Sequence, residues 1–418
     1  MKYKLALFAL LFFSTKLCNS QWLELNTGNN IRLNSISAAN DFVCWSAGEN
    51  GVVIRTINGG TNWISVGGGA IGSAIIYNIF AVDSNTALCT TTPSNSTNVY
   101  RTSNGGNTWT QVFSQNGGFI NAIWMTSATN GFMMGDPVGG RWSLWKTFNG
   151  GSSWDSTGLY LNQFPNMAGW VNAMHMVGNS IWFNTNGFTI YYSSNYGNNW
   201  VQQFGPDAGS NGSVWFNNLT TGLSSGNLDL RYSTNSGMSW FARTNPSSNG
   251  TPVLMGKGSQ FWACVFNSPS QIYMTTNNGI NWVVEYTPQS GQLSHITASR
   301  NGNSGWACKT DGGVVKKDIL VAINQISNEI LNRYELKQNY PNPFNPKTTI
   351  RFSVPKTSRI FLKVYDLLGR EVSILVNQFL QPGNYSVNFN GSNIASGIYY
   401  YTINADEFIE TKKMVLIK

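Results

Sequence analysis

Hydrophobic residues in this chain come in short bursts that alternate with polar neighbours and stop at Gly, Asn or Ser. The opening region shows the pattern: NSISA, then FVCWSAG, then GVVIRT, then a turn, then WISV. A period of two predicts β-strands with one face set against a neighbouring layer. The turn recurs as RTINGGTNW (55–63), RTSNGGNTW (101–109), KTFNGGSSW (146–154), YSSNYGNNW (192–200), YSTNSGMSW (232–240) and MTTNNGINW (274–282). Its tryptophans, Trp63, Trp109, Trp154, Trp200, Trp240 and Trp282, are separated by 46, 45, 46, 40 and 42 residues. A repeat of that length in a strand-rich chain is one blade of a β-propeller, four strands per blade.

The turn chemistry explains the repetition. Asn and Gly accept the positive φ of a tight hairpin. The Asn side chains at Asn58, Asn104, Asn149, Asn195, Asn235 and Asn277 are expected to hold backbone N–H groups two residues on. The hydroxyls before them, as at Thr102, Thr147 and Ser193, act likewise. The Trp opens the outer strand and is expected to fold back over the hairpin.

Two incomplete units raise the count from six to seven. GWACKTDGGVVKK (305–317) repeats CWSAGENGVVIRT (44–56) and then stops without its Trp strand. QWLELN (21–26) has the form of that missing strand, and Trp22 precedes Trp63 by 41 residues. The first strand should therefore complete the last sheet and leave no open edge. The predicted fold class is all-β: a seven-bladed β-propeller over 21–318, a linker over 319–338, and a small Ig-like β-sandwich over 339–418.

The turns resemble the Asp-box, or BNR, repeat, written S/T-x-D-x-G-x-x-W, of sialidases, xyloglucanases, sortilin-type receptors and photosystem II assembly-factor propellers. The Asp position holds Asn in all six full copies, which keeps the hydrogen bonds but makes a poor calcium ligand. The C-terminal segment looks like the type A C-terminal sorting domain of the bacterial type IX secretion system. YPNPFNP with Pro341, Asn342 and Pro343 carries that resemblance, as do VYDLLGREV with Gly369, GIYYYTI, and the closing ETKKMVLIK with Lys412 and Lys413. It implies type IX machinery as partner and delivery to the outer-membrane surface or the medium of a Gram-negative bacterium. Removal of the domain would follow, with cleavage around 319–338.

Composition agrees with an exported all-β chain. Charged residues are 11% of 418, aromatics 13%, and there are 43 Gly. Lys2 and Lys4 followed by LALFALLFF read as a secretory leader, 1–20, too short to span a bilayer. Leu17 stands where a lipoprotein signal at Cys18 wants a small residue. No transmembrane segment is expected in the mature chain. The net charge of +8 lies in the leader and in 336–418, whereas 21–335 holds thirteen basic and thirteen acidic residues. Such a balance gives no field to attract nucleic acid. Cys44, Cys89, Cys264 and Cys308 show no CxxC spacing, so no zinc site is expected. Cys264 and Cys308 hold matching places in two WAC triplets and are candidates for a bond, against the alternative of buried thiols.

No pair of carboxylates stands out as a glycosidase needs, and no catalytic residue, cofactor or metal is predicted. Asp136 in MMGDPVGGRW, with Arg141 and Trp142, is a candidate ligand contact, weighed against a turn aspartate in a local salt bridge. Asp207 and Asp229 read as turn residues. Asn34, Asn78, Asn121 and Asn172 begin inner strands and form a candidate polar ring at a channel mouth. His175 and His295 are expected to pack or line the channel. The aromatic stretches at 138–145 and 158–170 suit a sugar or a peptide. The leading expectation is a surface or secreted module that binds glycan or protein. A sialidase-type hydrolase and a structural surface component are the alternatives.

Overall fold

The computed structural model describes residues 21–319, 324–327 and 332–418, apart from 206–211, 227–228, 248–249, 259, 268, 301–302, 381 and 392–393. The leader and Asp207 lie outside the described residues. The chain is built from antiparallel strands. Seven sheets follow one another between Leu23 and Asp318, called blades 1 to 7 below. The innermost strands are Leu33–Ala38, Ile76–Ala81, Ile120–Met125, Gly169–Val177, Ser213–Phe216, Val253–Lys257 and Leu293–Ala298. Each packs on the next, and Leu293–Ala298 packs back on Leu33–Ala38, so the sheets form a closed ring. The result is a β-propeller. Hydrogen bonds between inner strands tie neighbouring blades: Ile79 N–H donates to Ser35 Oγ, Leu254 N–H to Ser213 Oγ, and Leu293 N–H to Ser270 Oγ.

The seam of the ring is where the sequence places it. Leu23–Leu25 pairs with Val314–Asp318 as the outer strand of blade 7. Trp22 is buried among Met255, Trp262, Leu293 and Ile296. Its indole N–H donates to Glu285, which also accepts from Trp262 at 2.9 Å and from Lys317 at 2.6 Å. Glu24 pairs with the buried Lys309 at 2.8 Å and accepts from the Tyr286 hydroxyl.

The six turns are near copies of one network, and they reach further than the sequence suggests. Thr102 Oγ accepts from the N–H of Asn104 and of Gly106, and donates to Asn104 Oδ1. Asn104 Oδ1 then accepts from the N–H of Thr108, four residues on rather than two. Thr56/Asn58, Thr147/Asn149, Ser193/Asn195, Ser233/Asn235 and Thr275/Asn277 do the same. Asn104, Asn149 and Asn235 also donate through Nδ2 to the hydroxyls of Thr108, Ser153 and Ser239. In these three turns the second amide atom of Asn thus adds a bond to those made by Oδ1. The motif Trp does not fold over its own hairpin. It reaches the preceding blade: Trp109 meets Trp45, Trp63 meets Trp306, and Trp200 meets Phe132. The repeat is thus both a turn and an inter-blade plug.

The four cysteines among the described residues are buried, free thiols. Cys264 packs in the cluster between blades 6 and 7, whereas Cys308 packs in the one between blades 7 and 1. Matching sequence places thus put them on opposite sides of blade 7, which removes the candidate bond.

Beyond the ring, two four-stranded sheets share one core that includes Phe352, Leu362, Val387, Tyr401 and Met414. One holds Asn324–Ser327, Gly383–Asn390, Lys347–Val354 and Glu335–Leu336; the other holds Glu371–Leu380, Ser358–Tyr365, Gly397–Ala405 and Phe408–Leu416. Two of these strands fall inside 319–338. That segment is therefore not a plain linker, because its alternating residues find a sheet edge to join. Met414 and Leu416 are buried on one side of the last strand, and Ile417 is exposed.

Candidate functional site

The channel is plugged by its own side chains. Asn78 donates to Asn172 Oδ1, which also accepts from Ser35 at 3.3 Å. Two of the four predicted ring residues thus meet. Asn34 instead donates to Ile76 O, and Asn121 to Asp136, each a tie rather than part of a ring. Below the plug lies a cavity of about 40 Å3 lined by Asn78, Trp124, Trp215, His295 and Arg300 among others. A water needs about 10–15 Å3 of such space, so the cavity holds about three waters and no sugar ring.

Both histidines serve as neutral acceptors. His175 Nδ1 accepts from Phe216 N–H, and His295 Nδ1 from Ile36 N–H, each bond joining one blade to the next. Burial pulls His175 down to about 3 and His295 to about 4. At the other end of the cavity Arg300 donates to Ala81 O and Ser37 Oγ and lies over Phe80. Burial lowers it to about 10, partly offset by Asp83. Lys257, lowered by burial and held up by Asp41, donates to Ser299 O. Sequence reading gives no sign of either cation, because Lys257 ends an inner strand and Arg300 sits in a polar turn, and only ring closure half-buries them.

Asp136 is not a turn residue. It lies inside the strand Gly131–Val138. Its carboxylate accepts from Asn121 Nδ2 and Gly169 N–H, both at 2.8 Å, and thereby ties blade 3 to blade 4. Burial pushes its pKa up against those two bonds. No ion pair to Arg141 forms among the described residues. Asp229 instead pairs with Arg231 at 2.8 Å.

Arg141 and Trp142 belong to a different feature. Blade 3 has three strands where its neighbours have four. Beside its outermost strand, Arg141–Thr147, the chain returns only at two bridges, Lys146 with Asp155 and Arg141 with Asn162. Alternation turns the N–H and C=O of 142, 144 and 146 to this edge. Trp142 N–H reaches Leu161 O, and Lys146 exchanges two bonds with Asp155. Nothing in 155–162 reaches the main chain of Leu144 among the described hydrogen bonds. Residues 156–158 turn away instead, with Thr157 held by Asp155 Oδ1 and Gly158 at φ +76.

The gap is a notch of about 250 Å3 lined by Gln115, Val138, 141–145, Ser156 and Leu159. Trp142 packs on Phe183 and Tyr191 of blade 4, and Trp145 on Phe113 of blade 2. Trp145 Nε1 is buried without a hydrogen-bond partner. The structure therefore separates the predicted trio: Asp136 is a strut, while Arg141 and Trp142 line an opening. Nearby Tyr160 and Phe164, in the aromatic stretch, are exposed.

In the C-terminal unit, the predicted signature residues meet although far apart in sequence. Asn342 Oδ1 accepts from Val415 N–H, and its Nδ2 donates to Lys413 O. Phe344 N–H donates to Val415 O, and Ile417 N–H returns to Phe344 O, so this strap runs along the outer edge of the last strand. Pro341 O accepts from Asn339 and Thr348, and both Pro341 and Pro343 follow cis bonds. Gly369, at φ +73, closes a turn in which Asp366 captures the N–H groups of Leu368 and Arg370. Lys412 pairs with Glu410 at 2.9 Å.

Residues 338–418 match the secretion system C-terminal sorting domain. This sorting domain directs the protein to the type IX machinery and so to the cell surface or the medium of a Gram-negative bacterium. Residues 15–126 match the photosynthesis system II assembly factor YCF48. Among solved structures, YCF48 bound to D1 peptide is similar with a TM-score of 0.56 and 14% identity, over 72% of this chain and 98% of the other. YCF48 from Cyanidioschyzon merolae gives 0.55 and 15%, over 71% and 99%. The WD40 β-propeller domain of Doa1 gives 0.53 and 13%, over 71% and 97%. Identities this low speak for the propeller fold alone. No curated protein matches the chain. No helix among the described residues is long and apolar enough to cross a membrane.

Proposed function

We propose that the propeller is a non-catalytic binding module for glycan or protein, carried outside the cell by its sorting domain. The observation that carries this reading is the blade 3 notch: an unpaired main-chain step at Leu144 and an exposed arginine at the rim. Most glycoside hydrolases need two facing carboxylates, and neither the notch nor the channel cavity has Asp or Glu in its lining. In this reading the mature propeller spans 21–318, and 319–338 joins it to the sorting module over 339–418. Screening the secreted chain against glycan and peptide arrays tests the proposal. Retention of one class without turnover is expected. Release of a cleaved sugar from any arrayed glycan would make the protein a hydrolase instead.

A further inference from the structure

The notch has features that select among ligands, and this inference rests on the binding reading above. Its edge is open for one residue only. Trp142 and Lys146 already pair with Leu161 and Asp155, and four residues of strand span about 14 Å. A peptide adding as a strand needs several consecutive ladder positions, so it would have to displace both flanking pairings. A compact ligand with its own donors and acceptors needs neither displacement. The volume, about 250 Å3, falls just below the roughly 300–1,000 Å3 of sites for drug-sized molecules, which suits a single ring.

Polarity points the same way. Leu144 offers a main-chain donor and acceptor side by side. Neighbouring hydroxyls of a pyranose both donate and accept. At the rim, Arg141 is exposed and meets no carboxylate among the described ion pairs, whereas Arg231 and Arg370 each hold one. Residues 21–335 as a whole carry no net charge, so this guanidinium acts locally rather than as part of a field. A planar fork of N–H donors matches a carboxylate.

We propose that the blade 3 notch binds one acidic pyranose unit of an extracellular glycan, with its carboxylate on Arg141 and its hydroxyls on the main chain of Leu144. Uronic and nonulosonic acids share this chemistry, and the test separates them. Calorimetric titration of the intact secreted chain with methyl glucuronide, methyl galacturonide, the methyl glycoside of N-acetylneuraminic acid, and methyl glucoside reads out preference. One or more of the acids should bind at least tenfold tighter than glucoside. Arg141→Gln should remove that preference, about tenfold for loss of a charged hydrogen bond. Ser156→Tyr fills the notch from an already half-exposed position and should abolish acid-sugar binding with an unchanged melting temperature. Acid-sugar binding that survives both substitutions overturns the site while leaving the binding reading intact. Failure of all four sugars overturns the proposal, and retention of an acidic peptide in their place would make the ligand a protein.

Discussion

Trp22→Ala isolates what the seam contributes to the ring. The indole is 5% exposed and packs against Met255, Trp262 and Ile296 while donating to Glu285. Truncation removes that burial and leaves a cavity, which costs about 3–5 kcal/mol for a tryptophan. Glu285 keeps Trp262 and Lys317, so no charge is orphaned and the packing loss dominates. In a unit of this size 1 kcal/mol corresponds to about 2–4 °C, giving a fall in Tm of roughly 6–20 °C. Leu23→Ala is the control: it lies in the same ladder but is 62% exposed. It should shift stability by no more than about 0.5 kcal/mol. Scanning calorimetry on both variants reads the difference. Equal melting temperatures would refute the claim that Trp22 anchors the ring. Deleting 21–26 should destabilise further and, by exposing the edge of Val314–Asp318, drive the protein toward oligomers visible in size-exclusion chromatography.

Three more outcomes follow from the geometry. His175 and His295 titrate below the unfolded value of about 6.5, so stability is full above that pH and declines as pH falls toward 4 and 3. Each group contributes about 1.4 kcal/mol per pH unit at most. A His175→Gln, His295→Gln double variant should flatten that decline in urea melts, and an unchanged slope would show that the histidines do not drive it. Thr102→Ala strands the buried Gly106 N–H and should cost about 1–3 kcal/mol, measured by thermal melting. A loss below about 0.5 kcal/mol would mean that the turn holds through Asn104 alone. A chain lacking 409–418 loses a strand paired throughout with Gly397–Ala405 and should accumulate in the periplasm. Fractionation that finds it on the surface in normal amount would show the last strand to be dispensable for sorting.

How much of this was legible in the sequence depends on the range of the interactions. The turns are local, and TxNGG with its Trp announces them. The seam was legible because a repeat had lost one strand and the N-terminus supplied it. The reach of Trp109 to Trp45 was not, since it depends on how neighbouring blades lean together. Asp136 looked like a site residue and is a strut, because Gly169 of the next blade arrives to use its carboxylate. The notch was half visible: Arg141, Trp142 and the aromatic loop were marked. That residues 156–158 would turn away and leave Leu144 unpaired is a matter of what does not pair, and hydrophobic alternation carries no record of that. The half-buried cations Arg300 and Lys257 were invisible because neighbouring blades, not local sequence, cover them.

The closing strand also imposes an order on folding. Leu23 pairs with Lys316, nearly the full span of the ring away, whereas every other blade of the ring pairs strands that follow one another. Bringing such distant segments together costs about 3–4 kcal/mol more in chain entropy than closing a hairpin. A chain emerging from its N-terminal end can therefore assemble six sheets while the first strand waits without a partner. Until Val314–Asp318 emerges, the last blade has no outer strand and the circle stays open. Closure is a late event, and a chain held back before that point remains an open, flexible arc that is easier to thread through a channel than a finished ring.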